Sequence, residues 1–287
     1  MAAWASACRP RTLTASLSPV AVALALSWSR GPIDWPIALL CVLAAVAIQL
    51  ATNLANDYFD FASGADNSNR LGPTRACQAG LLTPRAMRNA TVLCLAVAAC
   101  CGLWLVARGG LPVLVLGAIS LTCAVVYTGG PWPLAYHGLG DVFVFVFFGP
   151  VAVLTTLYLQ GHAPGRVDLL ASLLPGAAAT ALLVVNNLRD IDGDQRVGKN
   201  TLAVRVGKRA TRLQYALLLA AALLAPMLAA IAGDHAWLAL PLLLAPVAAR
   251  EVHLLGQRSG ALLNESLAAT ARLHAVGCLL LSVGAVL

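Results

Sequence analysis

The chain has 287 residues, of which 60% are hydrophobic and only 11% are charged, and its formal net charge is +7. This composition is too apolar for a soluble globular domain and indicates an integral membrane protein. The positive residues are spread along the chain rather than gathered on a soluble module with interleaved aromatic residues, which argues against nucleic acid as a partner.

Nine apolar segments follow one another along the chain, and each approaches the roughly 20 residues that span a hydrocarbon core. They are continuous runs rich in Leu and Ala rather than alternating segments of about 10 residues, so they predict helices and not a β-barrel. The predicted spans are 13–29, 37–55, 90–107, 111–127, 142–159, 169–185, 213–232, 236–249 and 267–287. The predicted fold is an all-α bundle of nine transmembrane helices, with 1–287 as a single transmembrane domain.

Lysine and arginine are distributed unequally among the predicted connections. With the N-terminus inside, fifteen of the 19 lie in inner segments, whereas the outer segments hold Arg30, Arg108 and Arg166. Because cytoplasmic loops carry the positive excess, the N-terminus is predicted to be cytoplasmic, in a multi-pass protein of the cell inner membrane. The first apolar run lacks a small-residue cleavage site and is predicted to be a retained helix rather than a secretory signal.

Eight cysteines could suggest a disulfide framework. Six of them lie inside predicted spans without metal-ligand spacing, namely Cys41, Cys94, Cys100, Cys101, Cys123 and Cys278. They are interpreted as small apolar residues of the helix packing, which is compatible with a reducing cytoplasm.

Two predicted helices end in polar residues that recur every three or four positions. The first polar stripe is Gln49, Asn53, Asn56, Asp57 and Asp60, and the second polar stripe is Asn186, Asn187, Asp190 and Asp194. Residues at this spacing share one helix face, and a bilayer penalises such side chains unless they have a function. A lone Asp or Asn at a helix end is usually a cap, but two stripes with similar spacing at the cytoplasmic side predict one shared site. Long polar connections, 57–88 and 188–212, are predicted to follow the two stripes and indicate a weak internal duplication.

Acidic clusters of this kind suit Mg²⁺, which binds through a few carboxylates while it contacts phosphate oxygens. A diphosphate leaves an allylic carbon readily only when cations neutralise its charge, so the two stripes predict a magnesium-dependent site for an allylic diphosphate. The predicted metal ligands and catalytic residues are Asp57, Asp60, Asp190 and Asp194, with Asn53, Asn56, Asn186 and Asn187 as further ligands or as their supports. The predicted diphosphate-binding cations are Arg189 and Lys199, with Arg70 and Arg75 as additional candidates.

An allylic cation also needs walls that exclude water until an electron-rich ring attacks it. Tyr58, Tyr127, Trp132 and Tyr136 are candidate walls, and an interfacial aromatic belt explains them equally well. Asp141 stands at the start of the fifth predicted span, where it either caps the helix or binds a hydroxyl group of the acceptor.

At these residues the chain resembles the UbiA superfamily of membrane prenyltransferases. The resemblance covers nearly the whole chain and rests on the Asn53-x-x-Asn56-Asp57-x-x-Asp60 and Asp190-x-x-x-Asp194 motifs. Five further stretches are similar to the branch that prenylates 1,4-dihydroxy-2-naphthoate. They are Arg9-Pro10-Arg11-Thr12, Arg70-Leu71-Gly72-Pro73, Tyr127-Thr128-Gly129-Gly130-Pro131, Asn187-Leu188-Arg189-Asp190 and Lys199-Asn200-Thr201-Leu202-Ala203-Val204-Arg205. The superfamily commonly has a third aspartate four residues after the second, where this chain has Gly64, and the Gly64-x-Asp66 spacing is similar to the same branch.

The resemblance implies transfer of a polyprenyl group from its diphosphate to 1,4-dihydroxy-2-naphthoate, with loss of carbon dioxide, in menaquinone biosynthesis. It implies Mg²⁺ as cofactor, and Arg11 is expected to bind the carboxylate of the acceptor. Prenyltransferases acting on 4-hydroxybenzoate or homogentisate are the nearest alternatives. An ion-coupled transporter is a more distant one, because acidic residues inside membrane bundles also line ion pathways.

Overall fold

The structure is a computed structural model that describes residues 2–64, 72 and 75–287. Across these residues the regular secondary structure is helical throughout. The helices are α1 (Ala2–Cys8), α2 (Pro10–Trp28), α3 (Trp35–Ala62), α4 (Pro84–Val126), α5 (Gly140–Val146), α6 (Ala152–Leu159), α7 (Arg166–Arg196), α8 (Leu202–Gly233), α9 (Ala245–Gln257) and α10 (Leu263–Val286). A π-helical turn, Phe147–Val151, joins α5 to α6, and short 3₁₀ stretches cover Leu134–His137, Ala236–Leu244 and Gly260–Leu262.

The helices account for the nine predicted crossings. In the part of the chain that the structure describes, seven helical stretches are long and apolar enough to cross a membrane, and Thr12–Trp28 is a shorter apolar helix. The 43-residue α4 holds two of the predicted spans, which are separated by a bend at Gly110 with φ 67° and ψ −153°. That backbone conformation favours glycine because a Cβ atom would clash there. The chain is therefore an all-helical, multi-pass membrane protein, as predicted.

Side chains at the membrane surfaces fix where several helices begin. Asp34, Thr83 and Thr201 each accept a hydrogen bond from a backbone N–H three residues further on, at the starts of α3, α4 and α8. Such caps satisfy amide groups that have no partner within the helix. Together they set the register of the spans that surround the polar stripes.

The two stripe-bearing helices are longer than the sequence predicted. α3 continues to Ala62 and α7 continues to Arg196, so both polar stripes are helical to their ends. The predicted long connection at 188–212 was therefore wrong. Only the short segment between the end of α7 at Arg196 and the start of α8 at Leu202 is non-helical. Hydropathy marks only the part of a helix inside the hydrocarbon layer, whereas these helices extend beyond it into the polar region.

The eighth predicted span also differs from the structure. It begins as the 3₁₀ stretch Ala236–Leu244 and becomes α-helical only at Ala245, continuing to Gln257. The predicted end at residue 249 was thus too early.

The central helix of the bundle is α7, whose apolar stretch is 67% buried, more than that of any other candidate span among the described residues. Its Ala171, Leu174 and Ala178 pack with Val22 of α2 and Leu281 of α10 in the main core. Small residues of this kind let helix backbones approach closely where lipid supplies no hydrophobic driving force. This packing holds the second polar stripe rigidly against its neighbours.

A glycine pair brings the π-helical turn into direct contact with α7. A Cβ atom on Gly176 would lie 2.6 Å from the carbonyl oxygen of Phe145, and one on Gly149 would lie 2.8 Å from that of Ser172. Both contacts are with backbone atoms, so larger residues would force the helices apart. The position of α5 beside α7 depends on this approach.

Candidate active site

A cavity of about 940 Å³ lies between α2, α3, both halves of α4, α5, α6 and α7. Its polar wall contains Arg9, Asn53, Asn56, Asp57, Asp60, Arg75, Tyr127, Thr128, Asp141, Asn186, Asn187 and Lys199. Its apolar wall extends to Cys41, Leu105, Val113 and Leu159. From Asp60 to Cys41 along α3 the distance is about 28 Å, close to the thickness of a hydrocarbon core. The cavity thus joins the first polar stripe to the far side of the apolar layer.

The asparagines of the first polar stripe connect α3 to its neighbours. The amide of Asn53 donates to the carbonyl of Cys8 at 3.0 Å and to the hydroxyl of Thr12 at 2.8 Å. The Thr128 hydroxyl donates to the side-chain oxygen of Asn56 at 2.6 Å. Asn53 and Asn56 therefore orient the cavity wall as well as lining it.

Asp57 holds the segment that follows the first polar stripe. It is buried, and its two carboxylate oxygens accept hydrogen bonds from the backbone N–H groups of Ala76 and Cys77 at 3.0 and 3.1 Å. This pairing fixes the turn at 75–80 against the end of α3. A carboxylate that the sequence suggested as a metal ligand thus also anchors the chain over the cavity.

Asp60 is buried where positive groups converge. Its carboxylate lies 3.5 Å from a guanidinium nitrogen of Arg75 and 3.6 Å from the ammonium nitrogen of Lys199. The hydroxyl of Tyr136 donates to it at 3.2 Å. The two cations come from segments far apart in the sequence, so the fold brings a carboxylate and two candidate diphosphate ligands to one point.

Tyr136 belongs to the 3₁₀ stretch outside the spans, and its ring faces Lys199, whose ammonium lies 5.2 Å from the ring centroid. Burial and then the negative charge of Asp60 raise the pKa of Tyr136 from 10 to about 12. The phenol is therefore neutral at physiological pH and remains a hydrogen-bond donor to Asp60.

The second polar stripe is organised around Arg189, which is buried. Its guanidinium binds both oxygens of Asp190, at 2.8 and 2.6 Å, and also the side-chain oxygens of Asn186 and of Asn264 on α10. Such two-pronged pairing has strong geometric specificity. In this structure Arg189 connects α7 to α10 and neutralises Asp190. Arg189 would have to release the carboxylate of Asp190 before it could bind diphosphate as predicted.

The remaining residues of the second polar stripe lie in different surroundings. Asn186 and Asn187 line the cavity, and the negative charge of Asp194 adds to burial and to Asp60 in raising the pKa of Tyr136. Asp192 points elsewhere and forms an exposed ion pair with Lys208. Within the described residues, no three acidic, His or Cys side chains lie close enough to hold a metal ion by themselves. The metal ligand set stays a prediction.

Two predicted binding residues cannot be placed by their side chains. Arg11 lies in the first turn of α2, and the structure describes its backbone but not its side chain. Arg70 lies outside the described residues. Tyr127, by contrast, lines the cavity, and its hydroxyl lies so close to Gly140 that a Cβ there would be 2.9 Å away.

Two cavity residues were missed by reasoning from the sequence alone. Arg9 lines the cavity although only Arg11 of the same motif was predicted to act, and Thr128 orients Asn56 across 72 positions. Proximity to Arg11 was the only available signal for Arg9. The partner of Thr128 depends on how α3 and α4 pack, which the sequence does not specify locally.

The sequence of this chain matches the model of a known protein family. Residues 16–275 match the model of the UbiA prenyltransferase family, which is well over half of the chain. The chain belongs to this family. Its membership confirms the resemblance found in the sequence motifs.

Curated relatives of this UbiA family member are similar over most of their length. A 1,4-dihydroxy-2-naphthoate octaprenyltransferase from Escherichia coli (strain K12) is 38% identical over 256 residues, which is 87% of this chain and 83% of the relative. The protein of that name from Mycobacterium tuberculosis is 41% identical over 250 residues, or 87% and 84% of the two chains. The UbiA prenyltransferase domain-containing protein 1 of Rattus norvegicus is 31% identical, over 86% of this chain and 73% of the relative.

Solved structures of more distant UbiA proteins have the same fold. An apo UbiA homolog from Aeropyrum pernix K1 superposes with a TM-score of 0.69 at 17% identity, covering 94% of this chain and 96% of the other. A UbiA homolog from Archaeoglobus fulgidus bound to DMAPP and Mg²⁺ gives a TM-score of 0.67 at 14% identity, with 98% and 99% coverage. At this identity the similarity establishes the UbiA-like helical fold.

Proposed function

We propose that this protein transfers a polyprenyl group from polyprenyl diphosphate to 1,4-dihydroxy-2-naphthoate, giving demethylmenaquinol in menaquinone biosynthesis. The observation that carries the proposal is the cavity, which extends about 28 Å along α3 from a polar end lined with carboxylates, amides and cations to an apolar end at Cys41. A charged diphosphate with a long apolar tail has these two halves. The acceptor is supported by the named relatives, which are 38% and 41% identical over most of both chains.

The bonds of the reaction balance without an oxidant or a reductant. The C–O bond to diphosphate breaks, and its electron pair leaves on the diphosphate. A ring carbon supplies the pair for the new C–C bond, and the carboxyl group departs as carbon dioxide while its bonding pair returns to the ring.

The residues at the polar end fit Mg²⁺, because carboxylate and amide oxygens are its preferred protein ligands and lie beside cations that suit phosphate. Asp57, Asp60, Asp190 and Asp194 would hold the metal, which when bound supplies positive charge to the leaving diphosphate. A UbiA homolog from Archaeoglobus fulgidus was solved with Mg²⁺ and DMAPP or GPP, which supports this assignment.

The chain's own cations have a part in the same step. Lys199 and Arg75 approach Asp60 from the cavity wall and would bind diphosphate oxygens there, with Arg70 assigned the same role from the sequence. The apolar walls around Phe143, Phe147 and Leu121 exclude water from the allylic cation, which would otherwise be hydrolysed.

The orientation proposed from the charge distribution puts the N-terminus and both polar stripes in the cytoplasm, in the cell inner membrane. Both polar stripes then face the compartment that supplies a charged acceptor and diphosphate. Transport is disfavoured because α3 and α7 run unbroken through their polar stripes, whereas secondary transporters typically bind ions at interrupted helices near the midplane.

The test is a direct assay of the purified, detergent-solubilised protein with Mg²⁺, octaprenyl diphosphate and carboxyl-labelled 1,4-dihydroxy-2-naphthoate. We expect labelled carbon dioxide and prenylated naphthoquinol to form together and EDTA to abolish both. Prenylation of 4-hydroxybenzoate instead would refute the acceptor but keep the reaction class. Inactivity with every acceptor and donor would refute the enzymatic proposal.

A further inference from the structure

The cavity contains two charged residues that the proposed reaction has not used, Arg9 and Asp141. Both line its polar wall, as does Tyr127. Asp141 is only 5% exposed although it carries a carboxylate, and one of its oxygens accepts a hydrogen bond from the side chain of Gln214 at 3.1 Å. A buried carboxylate on a cavity wall is a candidate for ligand binding.

Arg9 has an unusual backbone conformation for its residue type. Its φ of 48° and ψ of 72° lie in the left-handed region, where the only other described non-glycine residue is Asp234. Such a conformation persists only where surrounding contacts enforce it, and it is found preferentially at functional sites. The backbone carbonyl of Arg9 accepts hydrogen bonds from the N–H and hydroxyl of Thr12, at 2.9 and 3.0 Å.

The contacts that hold Arg9 belong to the active site itself. Thr12 also receives the hydrogen bond from Asn53 of the first polar stripe, so the conformation of Arg9 and the orientation of Asn53 depend on one network. Tyr127 is held on the other side, because its hydroxyl packs against Gly140, the residue before Asp141. The fold thus places a guanidinium, a phenol and a carboxylate around one region of the cavity.

We propose that Arg9, Tyr127 and Asp141 form the binding site for the aromatic acceptor, in which Arg9 binds its carboxylate and Asp141 accepts a hydrogen bond from a ring hydroxyl. This inference rests on the proposed function, since the acceptor is a hydroxynaphthoate. A guanidinium matches a planar carboxylate with two parallel hydrogen bonds, and an ionised carboxylate accepts from a hydroxyl. Tyr127 lines the same cavity beside Gly140 and contributes a phenol that donates or accepts.

The inference assigns to Arg9 the role that the sequence suggested for Arg11. A comparison of two acceptors tests it: 1,4-dihydroxy-2-naphthoate, which has the carboxylate, and naphthalene-1,4-diol, which does not. We expect Arg9→Gln to raise the KM for the carboxylated acceptor by about tenfold or more, the usual scale for losing a charged partner. The KM for octaprenyl diphosphate and the kcat/KM for the diol should stay within about twofold of the wild-type values.

Arg9→Lys keeps the charge and should recover part of the loss, which separates binding from a folding defect. Arg250→Gln, on the exposed face of α9, is the matched control and should change neither KM. Equal losses with both acceptors, an increased KM for the prenyl donor, or a carboxylate-specific loss in Arg11→Gln instead of Arg9→Gln would overturn the assignment.

Asp141→Asn tests the hydroxyl contact, because asparagine can still accept from Gln214 but offers the acceptor an amide in place of a charged oxygen. We expect the wild-type preference for 1,4-dihydroxy-2-naphthoate over an analogue lacking one ring hydroxyl to shrink in this variant. An unchanged preference would remove Asp141 from the site. A wild-type protein that does not convert 1,4-dihydroxy-2-naphthoate would refute the proposed function itself, a distinct outcome from these.

Discussion

Asp190 and Asp192 lie two positions apart on α7 but in opposite surroundings. Asp190 is held by both prongs of the buried Arg189, whereas Asp192 forms an ion pair with Lys208 in which both side chains are more than half exposed. Exposed pairs contribute little to stability or organisation. We predict that Asp190→Asn lowers turnover by about two orders of magnitude or more, as expected when charge stabilisation of a leaving group is lost.

Asp192→Asn is the matched control for this prediction and should keep near wild-type turnover. Initial rates with saturating Mg²⁺ and both substrates provide the measurement, and thermal unfolding shows whether each variant folds. Similar rates in the two variants would remove Asp190 from the catalytic machinery.

Tyr136 gives the site a measurable dependence on pH. Because its pKa is raised from 10 to about 12 in the folded protein, the neutral phenol contributes stability that is complete below pH 10. Above pH 10 the unfolded chain releases this proton first, so the contribution is lost as pH rises towards 12. We predict that the wild-type unfolding temperature falls relative to that of Tyr136→Phe across this interval. A constant difference between the two proteins from pH 9 to 12 would contradict the assignment.

Individual site residues could be predicted from the sequence where spacing alone reveals a shared helix face. Asn53, Asn56, Asp57 and Asp60 were identified in this way, and all of them line the cavity. What Asp57 and Asp60 contact could not be predicted, because the amides of Ala76 and Cys77 and the cation of Lys199 come from other segments. Spacing within one helix carries no information about such partners.

At the scale of elements, the close contact between the π-helical turn and α7 can be tested through Gly176. A methyl group there would be 2.6 Å from the backbone oxygen of Phe145, and backbone cannot rotate away as a side chain can. We predict that Gly176→Ala destabilises the protein by about 1–3 kcal/mol, the usual cost of overpacking. The thermal unfolding temperature in detergent should fall accordingly.

Gly193 provides a control on the same helix, since a Cβ there would meet nothing within 4 Å. Gly193→Ala should raise stability by about 0.5–1 kcal/mol, because alanine loses less conformational entropy in a helix. Helix propensity favours alanine at both positions, so a gain of stability in Gly176→Ala as well would show that the contact with Phe145 does not determine the effect.

Element boundaries show where reasoning from the sequence reaches its limit. Apolar runs identified every span, because the bilayer requires about 20 such residues whatever the neighbours are. The extra helical turns of α3 and α7 carry polar residues, so hydropathy did not mark them. The polar side chains of these turns bind Thr128, in the turn after α4, and Asn264 on α10, and spacing within one helix does not identify such partners.

At the scale of the whole molecule, the described residues form one architecture, a bundle of membrane-length helices around a cavity with an apolar interior and a polar mouth. The sequence predicted the bundle but not the channel, because a cavity is the space that packing leaves unfilled. Its apolar part, between Ile48 and Cys41 on α3, offers space for part of a long prenyl tail.

The final prediction is that obstructing this channel discriminates between donors by tail length. Ala45 lines the cavity about 22 Å from Asp60 along α3, so Ala45→Phe should obstruct a long tail without touching the diphosphate site. We expect kcat/KM for octaprenyl diphosphate to fall by about tenfold or more, the effect of losing at least 1.4 kcal/mol of apolar contact, while the much shorter geranyl diphosphate is little affected. Leu43→Phe places the same phenylalanine side chain two positions away on α3, where the native side chain is 43% exposed and does not line the cavity, and should leave both donors unchanged. If Ala45→Phe slows neither donor, the tail does not follow the channel along α3 and leaves the cavity sideways into the bilayer before it reaches Ala45. If it slows both donors equally, the substitution disturbs the protein independently of tail length, and the assignment of the channel to the tail is contradicted.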